Sequence, residues 1–311
     1  MAFERLGLRP LDYRPVRYPG VRLSFRGPAR DLQRGYVACM GGTETYGTFV
    51  ERPWPALLEA AGGPACLNLG VPNAGPDLWL APGGPLPLAQ GARAVVLQIP
   101  CGMNLSNPFY AVHPRRNDRF LRAAPPLERL YPEVDFTEFH FTRHMMRHLH
   151  ARSSERFSRM RAAVQAAWVQ RMVALLGRIT SPVILLWLSN HAPGSGSEGS
   201  DIDADPAFVS RAMLDAIAPH AQAMVVAVIS GTARAQGTRG MRFDLMQEGV
   251  AAALPGPLAH REVAEALRPA LAGFIDAQGP ASRAGPCDDP LKDQSFSTSS
   301  GTALNRSATR P

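Results

Sequence analysis

The sequence predicts an α/β fold, a three-layer sandwich in which helices cover both faces of a five-stranded parallel sheet. Five short apolar runs rich in β-branched residues are spread along the chain, and amphipathic helical patterns separate them. Each run is almost continuously hydrophobic rather than alternating, which is typical of strands buried on both faces. Neighbouring parallel strands also need long crossover connections, which the helical segments supply.

The predicted elements follow one another in a regular order. Strands are predicted at residues 36–40, 65–69, 94–99, 183–188 and 223–229, and helices at residues 53–61, 154–179, 207–218 and 259–275. The helix at 154–179 has an apolar stripe that runs from Phe157 to Leu176. Asp205 and Pro206 have the residue types of an N-cap and a first helical position. Pro269 is expected to kink or split the last helix.

Three further segments flank or interrupt this pattern. Residues 1–35 form a basic N-terminal arm, with eight arginines against three acidic residues. The α/β domain is predicted to span residues 36–278, with a helical insertion at residues 104–150, after the third strand, that caps the edge of the sheet. Residues 279–311 are rich in Ser, Thr, Gly and Pro and are predicted to be a disordered tail.

The composition excludes several classes of protein. Of the 311 residues, 45% are hydrophobic, which is enough for a sizeable core. No apolar run approaches the roughly 18 residues that a membrane helix needs. The N-terminal arginines have no apolar stretch behind them, so we expect no secretory signal and a cytoplasmic location. The four cysteines lack the spacing of a metal or disulfide framework.

The net charge of +7 is concentrated in the N-terminal arm. Two interpretations of these arginines are open: a general use of arginine in place of lysine, or contact with an anionic partner such as an acidic glycan or a membrane surface. No basic helix with interleaved aromatic residues is visible, so nucleic acid is not an expected partner. The sequence does not predict an oligomeric state.

Polar and glycine-rich segments follow the first four predicted strands. These segments are residues 41–47, 70–75, 101–107 and 189–193. In an open α/β sheet, ligands bind in the crevice outside the carboxyl ends of the strands. We therefore expect the four loops to face one another across a common pocket.

Three of these segments resemble the sequence blocks of the GDSL or SGNH hydrolases. Residues 41–47, Gly-Gly-Thr-Glu-Thr-Tyr-Gly, are similar to the first block, which carries the nucleophilic serine. Residues 68–75 resemble the second block and residues 102–104, Gly-Met-Asn, the third, and both of these blocks supply oxyanion donors. The resemblance spans roughly residues 36–278. It implies an SGNH-like α/β fold with a flavodoxin-like strand order and an ester or acyl hydrolase or transferase activity.

The sequence departs from the SGNH pattern at two places. Gly42 and Thr43 stand where that family has Asp-Ser, so the nucleophile would be a threonine. The final Asp-x-x-His-Pro block should fall near residues 251–255, which read Ala-Ala-Ala-Leu-Pro, and His260 lies beyond it. Because a hydroxyl needs a base within hydrogen-bond reach, His191 or His113 is expected to replace the missing histidine.

A second resemblance is to an uncharacterised family of alphaproteobacterial proteins, a domain of unknown function. Residues 36–47 and 107–120 carry it. This resemblance spans most of the predicted folded chain and implies no activity.

These observations define a set of candidate site residues. The candidate catalytic residues are Thr43, His191 and His113, and the candidate oxyanion or substrate-binding residues are Gly42, Glu44, Asn73, Gly75, Asn104, Asn107, Arg115 and Arg116. Each has a structural alternative: the residues of the first loop can cap a helix, the asparagines can form turns, and the arginines can join a salt-bridge cluster. Arginine groups of this kind also suit recognition of phosphate, sulfate or carboxylate.

A row of histidines is the other chemical feature. His140, His144 and His148 recur at a spacing of four residues, which suits one face of a helix. No glutamate follows the first of them as in zinc proteases, and the row spans too many turns for one tetrahedral ion. We predict no metal and no cofactor.

Two functions remain open from the sequence. The first is an SGNH-like hydrolase or acyltransferase with an altered site, acting on an acylated anionic or carbohydrate substrate. The second is a non-catalytic relative that binds a glycan or anionic ligand, which the absent Asp-x-x-His favours. The expected partner in both cases is a small molecule or glycan.

Overall fold

The computed structural model describes residues 11–195 and 202–277. The predicted tail and the first ten residues of the predicted arm lie outside the described residues. The strands are β1 (Val37–Gly41), β2 (Cys66–Gly70), β3 (Ala94–Gln98), β4 (Tyr110–His113), β5 (Arg116–Ala123), β6 (Val183–Ser189) and β7 (Ala223–Val228). The helices are α1 (Thr43–Tyr46), α2 (Trp54–Ala60), α3 (Pro76–Leu80), α4 (Leu86–Gln90), α5 (Pro125–Leu130), α6 (Thr142–Arg152), α7 (Ser154–Leu176), α8 (Arg211–Ile217), α9 (Gly231–Ala235), α10 (Glu248–Ala252) and α11 (Pro257–Ala277).

The central sheet has five parallel strands in the order β2-β1-β3-β6-β7. This confirms the predicted parallel sheet and its strand order. Each of the five predicted strands agrees with an observed one to within one residue at either end. The agreement follows from burial, because β1, β3 and β6 are fully buried and read as unbroken apolar runs.

Hydrophobic side chains of the sheet alternate between two separate cores. In β1, Ala38 and Met40 face the core beneath α3, α4, α7 and α8, whereas Val37 and Cys39 face the core beneath α2 and α11. Helices therefore cover both faces, and the three-layer architecture is confirmed. Burying one large apolar side chain in such a core contributes about 1.5–3 kcal/mol.

The start of one predicted helix needs correction, and in another the structure excludes one of the two alternatives, a split at Pro269. The predicted helix at 207–218 begins only at Arg211 and is capped by Ser210, whose hydroxyl accepts the N–H of Met213 at 3.3 Å. Asp205 is therefore not its N-cap. Pro269 does not split the last helix, which runs from Pro257 to Ala277. The buried side chains of Leu267 and Leu271 hold both halves against the sheet.

The insertion after β3 is not purely helical, which corrects the prediction. It opens with the antiparallel hairpin β4–β5 before α5 and α6 follow. Tyr110, Val112 and Phe120 of the hairpin are buried in the larger core, while its turn is exposed. The alternation of buried and half-buried residues in β4 spans only four residues, so the polar turn obscured it in the sequence.

The described part of the basic arm packs on the domain. Tyr18, Val21 and Phe25 are buried in the larger core, and Val16 forms an antiparallel bridge with Phe25. Arg26 is only 8% exposed. This segment is thus part of the folded body.

Candidate functional site

The carboxyl ends of β1, β2, β3 and β6 meet at a small cavity of about 90 Å³. Each of the four following loops supplies part of its wall, through Thr43, Asn73, Asn104 and Asp205. Arg143 of α6 lines it as well, so the insertion contributes to the same site. The four loops face one another, as the topology of an open parallel sheet predicts.

A larger cavity of about 330 Å³ adjoins the small cavity, because Glu44, Leu188 and Asp205 line both. His191 and Arg234 line this adjoining cavity alone. Its volume is at the lower end of the ~300–1,000 Å³ typical of ligand pockets. Together the two cavities have room for a small molecule.

Gln98, at the end of β3, fixes the loop that follows β1. Its Oε1 accepts the N–H of Gly42 at 3.2 Å and the hydroxyl of Thr45 at 2.5 Å. Its Nε2 donates to Glu44 Oε2 at 2.8 Å. A side chain at Gly41 would overlap Thr45 Oγ1 and crowd Gln98 Oε1, so this close approach requires glycine.

Asn73 makes two hydrogen bonds to the Thr43 hydroxyl. The hydroxyl accepts the backbone N–H of Asn73 at 3.1 Å and donates to Asn73 Oδ1 at 3.2 Å. The φ of Asn73 is +57°, a left-handed conformation that asparagine adopts more readily than most residues. Asn73 Nδ2 in turn donates to Asp118 Oδ2 at 3.1 Å. The three side chains form a chain from the cavity to the β4–β5 hairpin.

Asp118 ends this chain inside the protein. Its Oδ1 is buried and has no hydrogen-bond partner among the described residues. Burial raises the pKa of the Asp118 carboxyl, and the nearby Arg116 guanidinium opposes the shift. The carboxyl depends on Asn73 for its side-chain hydrogen bond.

Glu44 lies on the wall that the two cavities share, together with a second titratable group, Asp205. Burial raises the pKa of the Glu44 carboxyl, the hydrogen bond from Gln98 opposes this, and the negative charge of Asp205 adds to the rise. The carboxyl therefore keeps its proton to a higher pH than an ordinary glutamate. Such a group can donate a proton to a ligand or take one from it.

Two ion pairs connect the insertion to the loop after β6. Arg143 pairs with Asp205, and Arg147 pairs with Asp203 one helical turn further along α6. Because Arg143 and Asp205 both line the small cavity, the first pair is part of its wall. The insertion thereby closes one side of the site.

Asn104 and Cys101 both lie in the loop after β3, but only Asn104 has a free hydrogen-bond donor among the described residues. Asn104 Oδ1 accepts the hydroxyl of Thr142 at 3.1 Å, and its Nδ2 has no hydrogen-bond partner in the part of the chain that the structure describes. This amide can donate to a ligand.

Burial raises the pKa of the Cys101 thiol to about 12. The thiol therefore stays protonated at neutral pH and is a poor nucleophile.

A comparison with known protein families identifies the family to which this chain belongs. A family model described as a domain of unknown function (DUF6473) matches residues 1–275. The chain belongs to this family. The predicted resemblance to an uncharacterised domain family is thus confirmed, whereas the SGNH resemblance and the alphaproteobacterial source stay predictions. No curated protein matches the chain.

In this DUF6473 protein, some of the predicted site residues lie together. Gly42, Thr43, Glu44, Asn73 and Asn104 line the small cavity. Their common position follows from the strand order, because each comes from a loop at the same edge of the sheet.

Gly75 and Asn107 are engaged elsewhere. The N–H of Gly75 donates to Asn117 Oδ1 at 2.7 Å, so it is not a free oxyanion donor. Asn107 closes its own turn, accepting the N–H of Phe109 at 2.9 Å and donating to Leu105 O at 3.0 Å. Neither residue lines the small or the adjoining cavity.

His113, Arg115 and Arg116 surround the turn of the β4–β5 hairpin. The two arginines are exposed, and His113 Nδ1 accepts the N–H of Arg115 at 3.2 Å. None of the three lines the small or the adjoining cavity. Arg116 and His113 influence the site only electrostatically, because their charges oppose the rise of the pKa of Asp118.

Within the described residues, no histidine hydrogen-bonds to Thr43. His191 lines the adjoining cavity, and its ring packs edge-on against Trp187 with the ring centroids 5.5 Å apart. Its Nε2 is buried and has no partner in the described part of the chain. His260 is buried behind α2 and accepts the N–H of Trp54 at 3.2 Å. Burial lowers the pKa of His260 to about 3, so it is a neutral core histidine.

Sequence reasoning missed Gln98, Arg143 and Asp118 as parts of the site. Gln98 had one signal, because it is a polar residue at the end of an otherwise apolar strand. Arg143 and Asp118 lie in the insertion, whose approach to the sheet depends on tertiary packing. Their sequence neighbours gave no sign of the contact.

The described residues hold no group of three His, Cys, Asp or Glu side chains arranged to bind a metal ion. His140 precedes α6, and His144 and His148 instead pack against the ring of Phe139, each with its ring centroid 5.2 Å away. No helix in the described ranges is long and apolar enough to cross a membrane.

Proposed function

We propose that the protein binds a small ligand rich in hydroxyl groups, of the carbohydrate class, in the small cavity and the adjoining cavity. In this proposal Thr43 shapes the site and is not a nucleophile. Glu44, Asn104 and the Arg143–Asp205 pair contact the ligand.

The double contact between Thr43 and Asn73 is the observation that carries this proposal. The hydroxyl proton is directed to an amide oxygen at 3.2 Å, and the amide has no capacity to act as a base near neutral pH. A hydroxyl becomes a nucleophile only when a base can remove its proton. The histidines of the described chain make no hydrogen bond to it, so binding is favoured over covalent catalysis.

The polar groups of the site indicate the class of ligand. Glu44 and Asp205 offer acceptor oxygens, and Asn104 Nδ2 offers an unused donor. A hydroxyl group both donates and accepts, so it can use both kinds of partner. Arg143, the cation in this wall, is already paired with Asp205, so a purely anionic ligand would meet no unpaired positive charge there and would be repelled by Glu44 when that carboxyl is ionised. This difference favours a neutral sugar over an anion at the small cavity.

Calorimetric titration with a panel of neutral mono- and disaccharides tests the proposal, with sulfate as the anionic comparison. We expect saturable binding of at least one sugar, weakened about tenfold in Asn104→Ala because one hydrogen bond to the ligand is lost. Arg115→Ala is the matched control, since Arg115 is exposed and lines neither cavity. Binding of sulfate alone, or equal weakening by both variants, would overturn the proposal.

A second candidate function is hydrolysis of an ester by a water that Glu44 activates. The raised pKa of Glu44 on the shared wall favours it, because such a carboxylate can take a proton from water as the oxygen attacks the ester carbonyl. The proton then passes to the departing alcohol. Asn104 Nδ2 would donate to the oxyanion, a contact typically worth ~3–4 kcal/mol.

Turnover of p-nitrophenyl acetate separates the hypotheses. Loss of turnover in Glu44→Gln but not in Thr43→Ala supports the activated water. Loss in Thr43→Ala supports the covalent mechanism that the SGNH resemblance predicts, and would overturn our assignment of Thr43. The strand order and the three loop segments support descent from an SGNH-like fold, which we include in the proposal.

A further inference from the structure

A third cavity lies away from the proposed ligand site, between the N-terminal arm and the β2 edge of the sheet. Its volume is about 330 Å³, and it shares no lining residue with the small or the adjoining cavity. We call it the arm cavity. Four arginines line it, Arg14, Arg26, Arg30 and Arg242, against the acidic residues Asp12 and Glu51.

Arg26 places a buried positive charge in the wall of the arm cavity. It is 8% exposed, and its two terminal nitrogens donate to four backbone carbonyl groups, among them Gly47 O at 2.6 Å and Val50 O at 2.8 Å. No carboxylate of the described chain lies within ion-pair distance, and Nε has no hydrogen-bond partner there. Burying a charge without an opposite charge is costly.

The other arginines differ in whether their charge is balanced. Arg30 pairs with Glu59 at 2.8 Å, and Arg242 pairs with Glu51 at 3.0 Å. The exposed Arg14 side chain has no partner among the described residues. Asp12 Oδ1 accepts the backbone N–H of Arg14 at 2.9 Å and pairs with no arginine there. Among the described residues that line the arm cavity, two guanidinium groups, of Arg14 and Arg26, thus have no carboxylate partner, and one carboxylate, of Asp12, has no arginine partner.

Tyr13 adds a neutral donor to the same wall. Its hydroxyl oxygen accepts the N–H of Phe49 at 3.0 Å, and its proton has no acceptor among the described residues. The ring also lies under the Arg26 guanidinium, whose carbon is 5.1 Å from the ring centroid. Tyr13, Arg26 and Arg14 all line the arm cavity, and each has a donor, the Tyr13 O–H, the Arg26 Nε–H and the Arg14 guanidinium, that no described residue uses.

We propose that the arm cavity binds a small free oxyanion, such as inorganic phosphate or the phosphate, sulfate or carboxylate group of a metabolite. Planar guanidinium groups and a hydroxyl donor match the oxygens of such a ligand. The negative charge of the bound oxyanion would balance the positive charges of Arg26 and Arg14. The site is independent of the proposed sugar site, so either can fail without the other.

Titration calorimetry of the full chain with inorganic phosphate at constant ionic strength tests this site. We expect saturable binding that Arg14→Gln weakens at least about tenfold. Arg17→Gln is the matched control, because Arg17 lies in the same arm, carries the same charge, donates to Ser24 Oγ at 3.1 Å and does not line the cavity. Arg14 is exposed, so the variant should fold. No saturable binding, or equal weakening in both variants, would overturn the proposal.

A second measurement separates free oxyanions from lipid headgroups. The chain is sedimented with vesicles of phosphatidylcholine, with and without phosphatidylglycerol. Binding of free phosphate without vesicle binding supports the proposal. Vesicle binding that Arg14→Gln abolishes, without binding of free phosphate, would overturn it in favour of a membrane surface.

Discussion

Thr43 illustrates how a residue type alone can mislead about chemistry. It follows β1 at the position expected of a nucleophile, yet both hydrogen-bonding directions of its hydroxyl are used by Asn73. Glu44, its neighbour, has the environment of a functional group, because its half-buried carboxyl shares the wall of two cavities with Asp205. Perturbed carboxyls in clefts are candidates for function on physical grounds.

The raised pKa of Glu44 predicts how stability changes with pH. The unfolded chain releases this proton near the ordinary value of 4.5, while the folded protein holds it to higher pH. The contribution of protonated Glu44 to the free energy of unfolding is therefore fully present below pH 4.5, and it is lost as the pH rises through the pKa of Glu44 in the folded protein. We expect Glu44→Gln to gain stability relative to the parent protein over this range, since glutamine keeps an acceptor for Gln98 and has no charge to bury. Urea unfolding of the variant and of the parent protein at pH 4.5 and at neutral pH measures the difference in their stability. If this difference is the same at both pH values, the prediction is wrong.

The residues of the site that could be predicted are those that follow a strand directly. Thr43, Asn73 and Asn104 are polar residues just beyond apolar runs, and the parallel topology brings such positions to one edge. Arg143 and Asp118 could not be predicted, because their place in the site depends on how the insertion folds back. The same reason explains why the importance of His113, Arg115 and Arg116 was overestimated: the sequence shows their residue types but not the direction in which the hairpin folds.

Among the elements, the β4–β5 hairpin has a supporting role that its polar turn conceals. Asn117, fully buried in β5, accepts the N–H of Gly75 at 2.7 Å and of Leu78 at 3.3 Å at the start of α3. Its Nδ2 donates to His113 O at 3.0 Å across the hairpin. One side chain thus joins the insertion to the loop that presents Asn73.

Removing this junction should destabilise the protein. Asn117→Ala leaves the Gly75 N–H and the His113 carbonyl without their partner, while the Leu78 N–H keeps only its bond to Gly75 O at 3.2 Å. We expect the free energy of unfolding to fall by about 2–4 kcal/mol. Amide hydrogen exchange at Gly75 and Leu78 should accelerate. Arg115→Ala, at the exposed turn, should change stability by less than about 0.5 kcal/mol. Urea unfolding and exchange monitored by NMR check both, and slow exchange at Gly75 in Asn117→Ala would contradict the junction.

The strands of the sheet were predictable because burial on both faces leaves one pattern, an unbroken apolar run. The start of α8 was not, because Ser210 and Asp205 are both good capping residues and only the fold shows that Asp205 pairs with Arg143. The hairpin was missed because β4 is only four residues long. Short elements and competing caps are decided by tertiary contacts.

For the molecule as a whole, the sheet is shared by two cores of different composition. Trp54 is buried on the face covered by α2 and α11, whereas Trp79, Trp168 and Trp187 are buried on the opposite face. Strands β1, β3 and β6 supply side chains to both cores, so neither can be lost while the sheet remains intact. This arrangement predicts one cooperative unit rather than two.

We therefore expect tryptophan fluorescence and far-ultraviolet circular dichroism to report the same urea midpoint. All four tryptophans are less than 2% exposed, so fluorescence follows the cores, while circular dichroism follows the backbone. Trp54→Phe leaves fluorescence from one face alone. If the two faces unfold together, the fluorescence and dichroism midpoints of this variant still coincide, although both shift to lower urea because a buried side chain has become smaller. A fluorescence transition that separates from the dichroism transition when Trp54 is removed would show that the faces unfold independently.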